Sequence, residues 1–239
     1  MSRLLVLFIA GFIGMSLRYI LNGEFEANQL FTLLLFPVGS IFLLFVMKYQ
    51  YNKDRDFKPE PQDQYMVTMM GDRVSRTKKH MYLNTDHIGS YQRCYSRWWK
   101  RVVADVMDNP GQWYLNLNFS LSNGDTVTFK GRNENNLKGN SEWIIYRNDR
   151  QIGTVSTDYS LKNATKLQEG LFLEYGDQTY YYKSFGIGSR TEISLDDSVI
   201  ATGERVRGSV YQLVPDNPDH IELEMIFMGY ILFNYQFGQ

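Results

Sequence analysis

Two long uncharged stretches lie within the first 48 residues, and they limit the architecture more than any other feature. Leu4 to Leu17 carries no charge, and continuing through Arg18, Tyr19, Ile20 and Leu21 gives 18 residues. At about 1.5 Å rise each, they form about 27 Å of helix, close to the hydrocarbon thickness of a bilayer. Leu30 to Met47, LFTLLLFPVGSIFLLFVM, is again uncharged and is followed by Lys48, Tyr49 and Tyr51, residues suited to a membrane interface. Arg18 sits one turn from the end of its stretch, where a long side chain reaches the headgroups, and spanning helices accept a proline such as Pro37. The pattern predicts one transmembrane helix over 1–21, an external connector over 22–29 and a second transmembrane helix over 30–48. A cleaved signal peptide is the alternative for the first, but no small-x-small cleavage site precedes the polar residues.

The connector holds Glu24 and Glu26 but no lysine or arginine, whereas Arg3 precedes the first span and Lys48, Lys53, Arg55 and Lys58 follow the second. The positive-inside rule then predicts a two-span protein of the cell membrane with both termini cytoplasmic, Arg18 being the one dissenting charge. A single cysteine, Cys94, excludes an intramolecular disulfide and suits a reducing compartment. Residues 49–64, with YNKDRDFKPEPQDQ at 51–64, are polar, charged and carry two prolines; such composition predicts a tether.

Beyond the tether, residues 65–239 read as one β domain. Short runs rich in β-branched and aromatic residues recur at Tyr65–Met70, His80–Asn84, Trp113–Leu121, Thr126–Lys130, Trp143–Arg147 and Gln151–Ser156, and again at Leu171–Tyr175, Gln178–Phe185, Glu192–Leu195, Val199–Glu204 and Ser209–Leu213. Asn123-Gly124-Asp125, Asn148-Asp149, Gly176-Asp177 and Asp196-Asp197 stand between them and have the chemistry of tight hairpin turns. The pattern predicts a β-sandwich or closed barrel. Tyr95 to Val106, YSRWWKRVVADV, reads either as a short helix with Trp98, Val102 and Val106 on one face or as a strand entering a loop. The final stretch over 222–237, ELEMIFMGYILFNYQF, is apolar on every side from Met225 to Phe233. It is too short to span a bilayer, so an all-round apolar helix there needs enclosure, which a surrounding barrel supplies.

Antiparallel strands closing on a terminal hydrophobic helix resemble the tubby C-terminal superfamily, which includes the phospholipid scramblases and the LURP-one-related proteins. MIFMGYILFNYQF resembles the helix that threads the barrel in those families, and Trp143–Tyr146 with Ile152-Gly153-Thr154-Val155 resembles their strand, tight turn and I-G-x-[IV] pattern. The resemblance covers about residues 65–239 and implies a mainly β fold, an antiparallel closed barrel around a C-terminal hydrophobic helix, with a leaning toward lipid. Family scramblases carry a C-terminal membrane-inserting helix and a calcium-binding loop. Here the apolar spans are N-terminal and there is no EF-hand-like run of carboxylates, so scrambling and calcium dependence are not carried over. In tubby proteins a basic pocket binds phosphoinositide headgroups, but its residues have no clear counterparts in this chain.

No reaction is announced by the sequence. His80, His87 and His220 lack H-E-x-x-H spacing and cysteine partners, which leaves a zinc site without ligands. No serine sits in a G-x-S-x-G elbow, and Gly186-Ile187-Gly188 lacks the third glycine of a nucleotide loop. The expectation is therefore no catalytic residue, metal or cofactor. A net charge of −1 argues against nucleic acid as a partner. One concentration stands out: Arg73, Arg76, Lys78, Lys79, Arg93, Arg97, Lys100 and Arg101 against only Asp72 and Asp86, with Trp98 and Trp99 interleaved. Beside an anionic leaflet each surface lysine or arginine contributes about 1 kcal/mol, and these ten basic and tryptophan residues are the candidate lipid-binding set. The alternative is a solvated basic edge with core tryptophans. The sequence thus predicts a membrane-anchored, non-enzymatic domain contacting anionic phospholipid or a protein partner. A scramblase-like lipid mover and an interaction scaffold are the alternatives.

Overall fold

The computed structural model describes residues 2–61, 65–107, 111–133, 141–159, 168–184, 190–217 and 222–238. Two N-terminal helices, α1 (Ser2–Asn22) and α2 (Ala27–Arg55), form a hairpin. Both are long and apolar enough to cross a membrane. They leave Ile20, Leu21, Phe31 and Phe42 at least two-thirds exposed, apolar surface that water does not tolerate in such quantity. The helices touch through small residues, Gly11 against Leu33 and Gly39 against Leu4. Arg18, the one positive charge on the connector side, is paired with Glu24 at 3.0 Å and Glu26 at 2.6 Å.

Twelve antiparallel strands follow. They are β1 (Met66–Met69), β2 (Lys79–Leu83), β3 (Asp86–Arg93), β4 (Leu117–Leu121), β5 (Thr126–Gly131) and β6 (Glu142–Arg147). The second half is β7 (Arg150–Thr157), β8 (Gly170–Tyr175), β9 (Gln178–Ser184), β10 (Arg190–Leu195), β11 (Ser198–Arg207) and β12 (Val210–Pro215). Each strand pairs with its neighbours in sequence, and β1 pairs with β12, so the meander closes into a barrel. A closed barrel rather than a sandwich is therefore the fold. The strongest turn signals behave as their chemistry dictates: Asn148 and Asp149, and Asp196 and Asp197, all have positive φ, the mark of a two-residue turn that matches strand twist.

A barrel of about eight strands is just filled by its own side chains; twelve leave room for a helix. That helix is α4 (Leu223–Phe237), whose residues from Met225 to Gln236 are all buried. Alternate barrel residues meet it, among them Leu117, Phe119, Phe129, Trp143, Ile145, Leu173 and Tyr182. Two of the polar groups inside are matched: the Tyr182 hydroxyl donates to the Ile226 carbonyl at 2.9 Å, and Trp143 Nε1 to the Leu115 carbonyl at 2.8 Å. Gly238 ends α4 in the left-handed region, its N–H donating to the Asn234 carbonyl at 3.0 Å.

Two sequence expectations change and one open reading is settled. β3 is a full strand where none was read. Tyr95–Val106 resolves into the first of its two alternatives, a helix, α3 (Trp98–Val106), with Trp98 and Val102 exposed while Lys100 and Ala104 are buried. The polar segment 49–64 is not wholly a tether, because α2 continues to Arg55. Its last turn is held by Asp54, which is fully buried and accepts hydrogen bonds from the Gly71 N–H at 3.0 Å and the Asp72 N–H at 2.8 Å. Composition alone does not reveal that a carboxylate there satisfies a loop of the barrel.

Candidate functional site

The two ends of the barrel differ. The turns β2–β3, β4–β5, β6–β7, β8–β9 and β10–β11 are tight and lie at one end. At the other end run the β1–β2 connection, the long β3–β4 connection carrying α3, and the C-terminus of α4. This second end meets the hairpin: Asp54 of α2 holds the β1–β2 connection, and Arg3 of α1 donates to the Val106 carbonyl of α3.

Beneath this end lies a floor of buried charge. The Asp72 carboxylate accepts from the Val74 and Ser75 N–H groups at 3.0 and 3.1 Å, folding the β1–β2 connection around itself. Burial pushes its carboxyl up, but Lys79 and the Ser75 and Val74 hydrogen bonds outweigh this and hold it below its ordinary value. Lys79 is fully buried, 3.8 Å from Asp54 Oδ2 and over the Tyr235 ring. Burial pulls its ammonium down, yet Tyr235, Asp72 and Asp54 hold it above the usual lysine value. Arg93, also fully buried, donates to the Arg73 and Trp113 carbonyls and stacks over Tyr95 at 4.8 Å. Burial pushes the Tyr95 phenol up to about 12, so it stays a donor, bonding the Val74 carbonyl at 2.7 Å. Arg73 is half-buried; it donates to the Asn234 carbonyl at 2.9 Å and the Tyr211 hydroxyl at 2.6 Å, a cation at the C-terminus of α4.

The ten basic and tryptophan candidates therefore divide. Lys79, Arg93 and Lys100 face the interior, the last over the Tyr114 ring at 5.2 Å, and Arg73 is committed to α4. Arg76, Lys78, Arg97, Trp98, Trp99 and Arg101 are exposed. Trp99 still leans edge-on against Tyr114, whereas Trp98 is 78% exposed.

Arg76, Trp98 and Arg101 converge on a groove of about 450 Å³ completed by Met47, Val74, Val102 and Asp105. Its lining is mostly apolar, with two guanidinium groups and the Asp105 carboxylate as its charges, Arg76 steadied by donating to the Tyr95 carbonyl at 3.0 Å. Met47, Val74, Val102 and Asp105 were not among the sequence candidates. Met47 reads in sequence only as the last apolar residue of a helix, and nothing there signals that α3 packs beside it. A second cleft of about 390 Å³ lies across α2, lined by Tyr49, Asn52, Lys53, Asp56, Phe57 and Met69.

Among the described residues no group of three or more histidine, cysteine or acidic side chains is placed to hold a metal ion. His80 and His87 face each other at 3.1 Å across β2 and β3, and burial, His87 and Lys78 hold the His80 imidazole below its ordinary value. His220 and Gly186–Gly188 lie outside the described residues. Cys94 is half-buried, and burial pushes its thiol up, away from the thiolate that reactive cysteines need.

A family model described as the Tubby C-terminal like domain matches residues 65–236, the twelve strands and nearly all of α4. No curated protein and no solved structure matches the chain.

Proposed function

We propose a function from the premise that the chain belongs to the Tubby C-terminal like domain family: it is a non-enzymatic barrel, anchored in the membrane by its hairpin, that holds anionic phospholipid at the cytoplasmic face. In this reading residues 1–21 and 30–48 are the spans, 22–29 the external connector, and 65–239 the lipid-reading domain.

One observation carries the proposal. The groove between Arg76, Trp98 and Arg101 includes Met47, the last apolar residue before Lys48, so it opens at the depth where hydrocarbon gives way to headgroups. An acyl chain has Trp98 and Val102 to lie against, and a phosphate has two guanidinium groups. Arg76, Lys78, Arg97 and Arg101 are exposed in the β1–β2 and β3–β4 connections, at the same end of the barrel, and four such charges beside an anionic leaflet contribute on the order of 4 kcal/mol.

The test uses the full chain reconstituted in nanodiscs of mixed zwitterionic and anionic phospholipid. Lipid retained through detergent exchange is counted by native mass spectrometry. The wild type is expected to keep anionic lipid selectively, and Arg76→Glu with Arg101→Glu to lose about tenfold or more of that preference. Equal retention of zwitterionic and anionic lipid by the wild type would defeat the reading.

A further inference from the structure

The continuation of α2 beyond its apolar run sets the height of the barrel. Asp54, whose carboxylate is locked to Gly71 and Asp72, lies seven residues past Met47, about 10 Å along a helix. Gly71 is closer still, since a Cβ on it would overlap the Gln50 amide. Gln50 is three residues past Met47, about 5 Å. The headgroup layer on each side of a bilayer is about 5–8 Å thick, so the α2 end of the barrel, held between the levels of Gln50 and Asp54, stands at the outer margin of that layer.

The turn between β11 and β12 is at this same level. The Met70 N–H, one residue before Gly71, donates to the Ser209 carbonyl at 2.8 Å. Just before the turn at Gly208 and Ser209, the last residues of β11 bulge out of register with β12, and there Val206 is 38% exposed between Arg205 and Arg207. Arg205 closes the turn by donating to the Gly208 carbonyl, and Arg207 pairs with Glu60 at 3.2 Å, so the two cations are held on either side of the valine. The turn lies off β1 and β12, on the face of α2 that carries the second cleft, whereas Arg76, Trp98 and Arg101 belong to the groove beside Met47.

We infer that the β11–β12 turn with the bulge before it, Arg205 to Ser209, is a second membrane contact, Val206 entering the headgroup layer of an anionic bilayer with the Arg205 guanidinium against the phosphates. This rests on the proposed anchoring of the hairpin. With α2 and the α3 groove it makes a third point of support, which fixes the tilt of the barrel on the surface.

The far end supplies the control. Val199, beside the β10–β11 turn, is 43% exposed, as exposed as Val206 but at the opposite end of β11. In a Cys94→Ser background, full-length protein carrying Val206→Cys, Val199→Cys or Trp98→Cys is labelled with an environment-sensitive fluorophore and reconstituted in anionic vesicles. The Val206 label is expected to shift to shorter wavelength and to be quenched by lipids labelled near the headgroup, while the Val199 label does neither. A Val206 label as water-exposed as the Val199 label, with the Trp98 label buried, overturns the second contact and leaves the groove standing. If the Val206 and Trp98 labels both stay in water, the second contact and the lipid reading fall together.

Discussion

Removing the Asp54 carboxylate strands three groups at once: the buried Lys79 ammonium 3.8 Å away and the N–H groups of Gly71 and Asp72. Breaking a buried ion pair from one side costs about 3–5 kcal/mol. Asp54→Ala is therefore expected to lower the thermal midpoint in detergent sharply. Adding Lys79→Met removes the stranded charge, so the double variant should unfold above Asp54→Ala; additive losses would show the two residues uncoupled. Asp72 gives a pH signature. Its folded carboxyl titrates below the unfolded value, so the folded chain binds fewer protons in that window. Its contribution is complete above about pH 4 and is lost as the pH falls through the folded value. Asp72→Asn should flatten the acid limb of the midpoint against pH, and an unchanged limb would contradict this assignment. The basic run from Arg73 to Arg101 was legible as a concentration of charge, but not which cations it hides. Lys78 and Lys79 are adjacent and opposite in exposure because successive residues entering β2 point to opposite faces, and the partners that make burial of Lys79 tolerable come from α2 and α4.

Helix α3 is an element that the sequence left open between a helix and a strand. The spacing of Trp98, Val102 and Val106 is helical, but the side facing the barrel is that of Lys100 and Ala104, which spacing alone does not reveal. Trp98→Ala is expected to leave stability within about 0.5 kcal/mol of wild type, as for ordinary surface positions, while weakening anionic-lipid retention. Ala104→Leu, in a fully buried site, should cost about 1–3 kcal/mol from overpacking in chemical denaturation. A large stability loss from Trp98→Ala would mean that its ring is structural. Strand β3 escaped notice because Gly89 interrupts its pattern; a Cβ there would lie 2.8 Å from the Ser120 carbonyl oxygen of β4, so the backbones approach where a side chain would have signalled a strand. The central helix α4 was the most legible element, since twelve consecutive buried positions leave no polar face to hide. Gly229 within it is required by closeness, because a Cβ would overlap the Tyr182 hydroxyl. Gly229→Val should lower the denaturation midpoint through strain of about 1–3 kcal/mol.

Over the whole molecule, the apolar hairpin and the barrel around a terminal helix were visible in the sequence because both depend on hydrophobic pattern and turn chemistry. Their junction was not, since it depends on one aspartate in a segment of ordinary polar composition. Phe57 adds to it by packing on Val67, Met69 and Val210. A chain beginning at residue 65 therefore lacks part of its own support, and residues 49–239 are expected to melt at higher temperature than residues 65–239. Equal melting temperatures would mean that the polar segment contributes nothing to the fold.

The direction of α4 has a practical side. The chain runs back through the barrel and brings Gly238 close to Arg73, with Gly111 against the Tyr235 carbonyl, at the crowded end where α2 also arrives. Anything attached after Gly238 must leave through that same mouth and compete with α2 and the groove for space. The turn at Asp196-Asp197 opens at the opposite end, which makes it the better place to insert a reporter or an affinity tag.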